Sequence, residues 1–497
     1  MKYILAIDAG TTSNRAILFD EDGHVVTVAQ KAFKQYFPKP GWVEQDPSEI
    51  LSTTIGVVAE ALAKADIDKK DVACMGITNQ RETTILWDKK TGRAIAPAIV
   101  WQCRRTADKA EAIKEKGYGD IVREKTGLEV DAYFSATKIG YILDSVPGAR
   151  ERAEKGEILF GTVDSFLLFH LTGGVHATDM SNASRTMLFN IHELDWDDEL
   201  LKLFDIPRAC LPEVLPTAAH FGSTLAEHFG ISIPITGMIG DQQSALFGEQ
   251  CFEVGEVKST FGTGAFVLMN TGHAPIISEH GLLSSYAWDI GEGPVYAMEG
   301  SIFACGSVIE WLKEDMGLVD KAAETAALAE SVADQNPMLF VPAFTGLGTP
   351  YWDPEARGTI FGISRSTTKA HLVKAALDAI AYMTADVVDA MEKDLQASHD
   401  RILVDGGVSQ NDYLMERLAD LIGRNVHRPE LVETTALGAA FMAGIGSGLY
   451  KDLSDIKKRA SKARVIEPKG MDYSKERSRW VRAVEMTMDV HLEDNAD

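Results

Sequence analysis

Residues 3–20 read YILAIDAGTTSNRAILFD, two short apolar runs on either side of a polar loop. Short apolar runs bounded by turn residues predict buried strands, so the segment predicts a hairpin. The loop carries one carboxylate (Asp8), one glycine (Gly10), three hydroxyl residues and one arginine. The glycine lets the backbone approach a ligand closely, and the hydroxyl groups add donors to the N–H groups of the loop. The segment alone is equally compatible with an ordinary hairpin and with one whose tip grips the phosphates of a nucleotide.

The same pattern recurs in the second half of the chain. Residues 254–269, VGEVKSTFGTGAFVLM, again predict a strand, a Gly/Thr turn and a strand. A third Gly-rich turn lies in RILVDGGVSQN, residues 401–411, ahead of a helix predicted from Asp412 to Ile422. By itself, a Gly-Gly turn favours a simple tight connection. Two hairpin tips about 250 residues apart, followed by this turn, predict two related lobes around one nucleotide cleft.

The motifs Asp-x-Gly-Thr-Thr, Phe-Gly-Thr-Gly and Asp-Gly-Gly, in this order, resemble the actin-like ATPase superfamily. Further blocks resemble the FGGY carbohydrate kinase family: GWVEQD (41–46), TNQRETT (78–84), WQCRRT (101–106), YFSATK (133–138), GDQQSA (240–245) and GLGTPYWD (346–353). The RETT and WQCRR blocks separate the branch of that family that phosphorylates glycerol from its pentulose-kinase relatives. The resemblance covers residues 1 to about 450 of the 497.

This resemblance implies an α/β fold with two ribonuclease-H-like (actin-like ATPase) domains that flank a nucleotide cleft. We expect the first domain, residues 1–248, to bind glycerol and the phosphates. We expect the second domain, residues 249–497, to bind the adenosine side of ATP. The length agrees, because 497 residues exceed one ordinary domain.

Composition narrows the class of partners. Asp and Glu outnumber Lys and Arg by 73 to 49, and the net charge of −24 disfavours nucleic acid and anionic membranes. No apolar run approaches the roughly 18 residues of a membrane span, and no signal-like segment opens the chain. The five cysteines are far apart, which predicts reduced thiols with neither zinc nor disulfides. We therefore expect a cytoplasmic protein. We also expect a homo-oligomer, either a dimer or larger.

The nucleotide side of the site follows largely from the resemblance. No Gly-Lys dipeptide occurs in the chain, which excludes a Walker-type phosphate loop. Phosphoryl transfer mainly requires positioning and neutralisation of charge. Asp8, at the end of a predicted strand, could hold a hydrated divalent cation. We therefore expect Mg²⁺ near Asp8 and Asp241, and we expect Arg15 to stabilise charge on the transferred group. The resemblance implies that ATP or ADP contacts Thr11, Thr12, Ser13, Arg15, Thr263, Gly306, Gly407 and Asn411.

The acceptor side needs a base that removes a proton from a primary hydroxyl group. Asp241 is a lone carboxylate after a short apolar segment, where it could be a general base or could cap a helix. The matching residue of the family is the catalytic base. We therefore predict this role for Asp241.

Glycerol offers three hydroxyl groups, so its pocket needs donors and acceptors. Arg81 can donate to two hydroxyls, Glu82 can accept from two, and Tyr133 can do either. Without the motif, Arg81 and Glu82 would be interpreted as a surface ion pair. The predicted polar set also includes Gln242 and Thr11. Trp101 and Phe266, at the matching positions of the family, would cover the C–H edges, although Trp101 alone would be interpreted as core.

Two other classes of protein stay open on the sequence. A chaperone or filament protein of the superfamily would need no hydroxyl pocket, and a kinase for another polyol or pentulose would differ only in the substrate-side blocks.

One loop departs from a pattern in the family. Relatives inhibited by fructose 1,6-bisphosphate carry a Gly-Lys-Gly-Gly-Thr-Arg type loop shortly before the catalytic Asp. Residues 225–234 read LAEHFGISIP, without Lys or Arg, so we expect no inhibition by the bisphosphate at this loop.

Overall fold

The computed structural model describes residues 1–332, 338–397, 399–430, 433–459 and 462–488, which fold around two large mixed sheets. The strands of the first sheet are β1 (Tyr3–Ala9), β2 (Ser13–Asp20), β3 (Val25–Ala32), β4 (Val72–Asn79), β5 (Gly222–Ser223) and β6 (Pro234–Gly240). The strands of the second sheet are β7 (Val257–Phe261), β8 (Ala265–Gly272), β9 (Leu283–Trp288), β10 (Val295–Ile302), β11 (Arg401–Asp405), β12 (Asn425–Pro429) and β13 (Ala463–Ile466).

The two sheets share one arrangement. In the first, the order is β5-β6-β4-β1-β2-β3, where β1, β2 and β3 are antiparallel neighbours and β4 and β6 run parallel to β1. In the second, the order is β9-β10-β8-β7-β11-β12-β13, where β7, β8 and β10 are antiparallel neighbours and β11 and β12 run parallel to β7. The β1–β2 and β7–β8 hairpins therefore occupy equivalent places. The predicted α/β fold with two related lobes is confirmed.

Helices pack on these sheets. Those of the first half are α1 (Pro47–Lys64), α2 (Ala107–Glu115), α3 (Gly119–Thr126), α4 (Ser135–Ser145), α5 (Ala149–Glu154), α6 (Val163–Thr172), α7 (Met180–Ala183), α8 (Asp198–Phe204), α9 (Ala226–Phe229) and α10 (Asp241–Gly248). Those of the second half are α11 (Gly306–Glu310), α12 (Glu324–Glu330), α13 (Lys369–Leu395), α14 (Asp412–Ile422), α15 (Thr434–Gly446), α16 (Leu453–Lys457) and α17 (Ser474–Met488). The predicted helix from Asp412 to Ile422 is confirmed as α14.

Short strands pair within the connections between the main elements. They are Gln35–Tyr36, Glu44–Gln45 and Ala98–Ile99 in one sheet, and the pairs Ile85–Asp88 with Ile158–Gly161, Ala177–Asp179 with Glu213–Leu215, Phe189–Asn190 with Asp195–Trp196, and Leu339–Val341 with Thr359–Phe361. The connections of the first half carry several of the predicted site residues, among them Trp101 and Tyr133.

One helix of the second half packs on the first sheet. α15 lies against β1, β4 and β6, and it also packs along α10. The backbones approach closely, because a Cβ atom added to Gly438 would lie 1.9 Å from the carbonyl oxygen of Ser244. The two halves therefore share a buried core, in which Phe441 of α15 joins Ile4, Phe19 and Leu246 of the first half.

All five cysteines are buried with free thiols. Across the described ranges, no helix is both long enough and apolar enough to cross a membrane.

Candidate active site

The turn after β4 carries two buried residues of opposite charge. β4 ends at Asn79, Glu82 then adopts a φ of 59°, and the N–H of Thr83 donates to the carbonyl oxygen of Arg81 at 2.7 Å. A left-handed backbone at a residue other than glycine costs about 1–3 kcal/mol and is concentrated at functional sites. Arg81 and Glu82 are only 3% and 2% exposed. They are therefore not a surface ion pair.

The guanidinium of Arg81 lies between the two halves of the chain. Its Nε is 3.1 Å from Asp241 Oδ1, and its two Nη atoms contact the two carboxylate oxygens of Glu299 at 2.5 and 3.1 Å. Nη1 also donates to Gln243 Oε1 at 3.1 Å. Asp241 follows β6 of the first sheet, whereas Glu299 lies on β10 of the second. Arg81 thus joins elements of both sheets at one point.

A second buried arginine holds Glu82. Arg185, which follows α7, donates from Nε to Glu82 Oε1 at 2.6 Å and from Nη2 to Glu299 Oε1 at 3.0 Å. Burial raises the pKa of Glu82, and Arg185 and Arg81 partly offset the rise. Burial also acts to raise the pKa of Glu299, but its contacts with Arg185 and Arg81 outweigh burial and lower the pKa to about 2. Glu299 is therefore a carboxylate at neutral pH.

Asp241 combines a position at a helix start with a contact to Arg81. Gly240 occupies the N-cap of α10, and Asp241 Oδ1 accepts a hydrogen bond from the N–H of Gln242 at 2.7 Å. The side chain is 27% exposed, so a ligand can reach it. Burial raises the pKa of the carboxyl group, Arg81 and Lys258 oppose the rise, and Asp8 adds to it. Asp241 is the first residue of α10 and not its N-cap, so the alternative interpretation of this residue as a helix cap is wrong.

Three aromatic rings form a wall beside this cluster. The ring centroid of Trp101 lies 5.6 Å from that of Tyr133 and 6.1 Å from that of Phe266, both in edge-to-face geometry. Trp101 Nε1 donates to Thr11 Oγ1 at 3.0 Å, which connects the wall to the first hairpin tip. The guanidinium carbon of Arg185 lies 5.6 Å from the ring centroid of the buried Tyr133. The structure thus brings these predicted residues to one place, next to Arg81 and Glu82.

The tip of the β1–β2 hairpin presents hydroxyl groups and an arginine. The N–H of Gly10 donates to the carbonyl oxygen of Ser13 at 3.1 Å and closes the turn, and Thr12 is exposed. Arg15 Nε lies 3.5 Å from Asp8 Oδ2, and Arg15 Nη1 lies 2.6 Å from Glu433 Oε2 of the second half. Two carboxylates therefore hold this guanidinium, and an anionic phosphate would compete with them for it.

The second-half residues that are predicted to contact the nucleotide lie at turns and at helix starts. The N–H of Gly306, at the start of α11, donates to the carbonyl oxygen of Gly262 at 2.9 Å, so α11 starts against the tip that carries Thr263. A Cβ atom added to Gly407 would meet nothing within 4 Å, which leaves open space beside this turn. Asn411 caps α14 by accepting from the N–H of Leu414 at 3.1 Å, and its amide donates to Thr325 at 3.0 Å. The Asn411 side chain therefore already has two protein partners.

Asp8 and Asp241 are the two carboxylates predicted to lie near Mg²⁺. They are close enough for Asp8 to raise the pKa of Asp241. Within the part of the chain that the structure describes, no cluster of three or more His, Cys, Asp or Glu side chains could hold a metal ion. Mg²⁺ is usually bound by one or two carboxylates together with substrate phosphates and water. The donor set therefore fits a Mg²⁺ ion that binds together with a nucleotide.

Four residues at this site were not predicted: Arg185, Gln243, Lys258 and Glu299. Lys258 Nζ donates to Gln242 Oε1 at 2.5 Å, so the predicted substrate residue Gln242 binds a lysine, and its neighbour Gln243 contacts Arg81. Lys258 and Glu299 lie inside buried strands, where a charge is costly unless it is paired. A charge within an otherwise apolar strand was therefore the available signal. Arg185 gave none.

Comparisons with known proteins agree with this geometry. The N-terminal domain of the FGGY family of carbohydrate kinases matches residues 3–248, and its C-terminal domain matches residues 257–447. The chain is 53% identical to glycerol kinase 2 of Thermotoga maritima over 98% of this chain and 99% of the relative. It is 52% identical to glycerol kinase 1 of Clostridium tetani over 98% of each chain.

Solved structures give the same result. A glycerol kinase of Plasmodium falciparum with ADP superposes with a TM-score of 0.91, at 35% sequence identity and with 98% of each chain covered. A gluconate kinase from Lactobacillus acidophilus reaches a TM-score of 0.90 over 99% of each chain at 20% identity, which supports the fold alone. The two domain matches and the relatives above 50% identity together establish that this chain belongs to the FGGY family of carbohydrate kinases.

Proposed function

We propose that this chain transfers the γ-phosphoryl group of ATP to a primary hydroxyl group of glycerol, and forms sn-glycerol 3-phosphate and ADP. The observation that carries the proposal is the contact of 3.1 Å between buried Arg81 and accessible Asp241, beside the Trp101–Tyr133–Phe266 wall. A small triol needs this combination of converging polar groups and a narrow apolar wall. The nearly full-length relatives that are named glycerol kinases support the same substrate.

Glycerol binding is assigned mainly to residues of the first half of the chain, with Phe266 from the second half. Glu82 accepts hydrogen bonds from two neighbouring hydroxyl groups, and Arg81 donates with the N–H groups that its protein partners leave available. Tyr133 supplies a further hydroxyl group, and Trp101 and Phe266 cover the carbon skeleton. Thr11 and Gln242 complete the polar edge, with the amide of Gln242 free to donate while Lys258 occupies its oxygen.

Asp241 is the general base. It accepts the proton of the attacking hydroxyl group as that oxygen bonds to the γ-phosphorus, and the bond between phosphorus and the β–γ bridging oxygen breaks. Arg81, with its Nε 3.1 Å from Oδ1, fixes the direction of the carboxylate. Positioned bases of this kind contribute roughly 10²–10⁴ in rate.

The nucleotide lies between the two hairpin tips. Thr11, Thr12, Ser13 and Arg15 face the phosphates, and Thr263, Gly306, Gly407 and Asn411 face the rest of the nucleotide. Asp8 and Asp241 would hold Mg²⁺, which supplies charge neutralisation on the phosphate oxygens. Residues 1–248 then form the glycerol and phosphate domain, and residues 249–497 form the adenosine domain. A cytoplasmic homo-oligomer stays a prediction from the sequence, and light scattering tests the oligomeric state.

Release of ADP tests the proposal. The purified chain is assayed with ATP and Mg²⁺ and with glycerol, erythritol, xylulose or ribulose, and a reaction without acceptor serves as control. We expect glycerol to give the highest kcat/KM and the control to give little ADP. A higher kcat/KM with xylulose or ribulose would favour a pentulose kinase. Equal ADP release without any acceptor would favour an actin-like ATPase that is not a kinase.

A further inference from the structure

A row of four alternating charges crosses the floor of the proposed glycerol site. Arg81 contacts Glu299 at 2.5 and 3.1 Å, Glu299 contacts Arg185 at 3.0 Å, and Arg185 contacts Glu82 at 2.6 Å. The two ends of the row, Arg81 and Glu82, are the residues assigned to glycerol, and Arg81 Nε lies 4.0 Å from Glu82 Oε1. The two middle residues are fully buried, and the two end residues, Arg81 and Glu82, are 3% and 2% exposed.

The contact with Glu299 fixes the plane of the Arg81 guanidinium. Two parallel N–H···O contacts to one carboxylate define an orientation, which a single contact does not. With this edge of the guanidinium held by Glu299, Nε lies 3.1 Å from Asp241 Oδ1. At the other end of the row, Arg185 holds Glu82 by a single contact of 2.6 Å, from Nε to Oε1. The distance between the Arg81 guanidinium and the Glu82 carboxylate, and the directions in which they point, therefore depend on Glu299 and Arg185.

The strand that carries Glu299 is a rigid support. A Cβ atom added to the neighbouring Gly300 would lie 2.2 Å from Val387 of α13, so β10 packs directly on this helix. The hydroxyl group of Tyr296, also on β10, donates to the carbonyl oxygen of Ile191 in the first half at 2.7 Å. Precise sites need such supporting groups on immobile elements.

We propose that Glu299, paired with Arg185, is the positioning residue of the glycerol site, a second-half carboxylate that sets the geometry of Arg81 and, through Arg185, of Glu82. This inference rests on the proposed assignment of Arg81 and Glu82 to glycerol. Glu299 is fully buried, and it makes hydrogen bonds with Arg81, Arg185 and Ser301. Replacing Glu299 should therefore weaken the binding of glycerol and leave the binding of ATP largely unchanged.

Steady-state kinetics of four variants test this inference. Glu299→Gln keeps the shape of the side chain but removes its charge. The double variant Arg185→Gln/Glu299→Gln removes one charge of each sign, which keeps the cluster balanced if the single variant does not fold. Glu256→Gln is the matched control, because Glu256 is also a buried second-half carboxylate, paired with Arg401 at 2.6 Å. Arg81→Ala reports on the glycerol site itself, and circular dichroism verifies that each variant is folded.

We expect Glu299→Gln and the double variant to raise the KM for glycerol by about 10- to 100-fold, the factor typical of losing a charged hydrogen-bond partner. The KM for ATP should change by less than about threefold, and kcat should fall by less than KM rises. Glu256→Gln should leave the KM for glycerol unchanged.

The inference is overturned if folded Glu299 variants keep the wild-type KM for glycerol while Arg81→Ala raises it, a result that leaves the proposed function intact. It is also overturned if Glu256→Gln raises the KM for glycerol as much as Glu299→Gln does, or if the KM for ATP rises equally. An unchanged KM for glycerol in folded Arg81→Ala would overturn both the inference and the glycerol pocket of the proposed function.

Discussion

Replacing Lys138 by Met should change how the stability of the fold depends on pH. Lys138 lies on α4 and is fully buried, and its ammonium group donates to the carbonyl oxygens of Tyr133 and Phe134. Burial lowers the pKa of Lys138 from 10.5 to about 7, even though Glu82 favours the charged form. The folded state therefore binds this proton more weakly than the unfolded chain does.

The size and the direction of the effect follow from this shift. Each pKa unit corresponds to about 1.4 kcal/mol, so a shift from 10.5 to about 7 costs up to about 5 kcal/mol. The cost is absent above pH 10.5, where the amine is neutral in both states, and it is fully developed below about pH 7. Between about pH 7 and 9.5, the free energy of unfolding of the wild type should therefore rise by about 3 kcal/mol relative to Lys138→Met. The lost hydrogen bonds to the two carbonyl groups add a constant penalty of about 1–3 kcal/mol to the variant.

Urea denaturation at several pH values measures this difference. Lys202→Met, which replaces an exposed lysine on α8, is the control, and its difference from the wild type should stay constant with pH. A difference between the wild type and Lys138→Met that is also constant would refute the reasoning, because Lys138 would then have the same pKa in the folded and unfolded states.

Four further predictions concern the proposed base Asp241, Gly438 of α15, Gly56 of α1 and regulation. Asp241→Asn should lower kcat by roughly 10²–10⁴ while calorimetry still detects binding of ATP and glycerol, and a near-normal kcat would remove Asp241 as the base. Gly438→Ala should destabilise the protein by about 1–3 kcal/mol in thermal or urea unfolding, because its Cβ would overlap the carbonyl oxygen of Ser244 at 1.9 Å. In contrast, Gly56→Ala in α1 should stabilise it by about 0.5–1 kcal/mol, since that Cβ would meet nothing within 4 Å. Fructose 1,6-bisphosphate should not inhibit activity at subsaturating glycerol, because residues 225–234 offer no Lys or Arg to a phosphate, and inhibition that is lost on mutating this loop would contradict the prediction.

Local sequence patterns were sufficient to predict the two lobes. Apolar runs of strand length, separated by Gly and hydroxyl residues, are short-range signals, and both hairpins formed where they were predicted. Arg81, Asp241 and the aromatic residues also came together, since the motifs that contain them follow strand ends or line the same cleft. These features depend on residues close to one another in the chain or on the resemblance to a family.

The supporting charges could not be predicted in the same way. Glu299 lies 218 residues from Arg81, and only the packing of the second sheet on the first half brings them together. Arg185 lies in a polar segment that looks like an ordinary loop. The sequence also did not predict that α15 packs on the first sheet, because the Gly and Ala residues of this helix are equally typical of any buried helix. Pairing between residues that are far apart in the chain leaves no local pattern. The sequence therefore predicted the site residues Arg81 and Glu82 but not Glu299 and Arg185.

A crystal structure of the chain with glycerol and a non-hydrolysable ATP analogue tests the central claim most directly. The account predicts that one carboxylate oxygen of Asp241 lies about 2.6–3.2 Å from a primary hydroxyl group of glycerol. That hydroxyl oxygen should face the γ-phosphorus, with Arg81 and Glu82 bound to the remaining hydroxyl groups. Glycerol bound away from Asp241, or its reacting hydroxyl group bound to another carboxylate, would contradict the account.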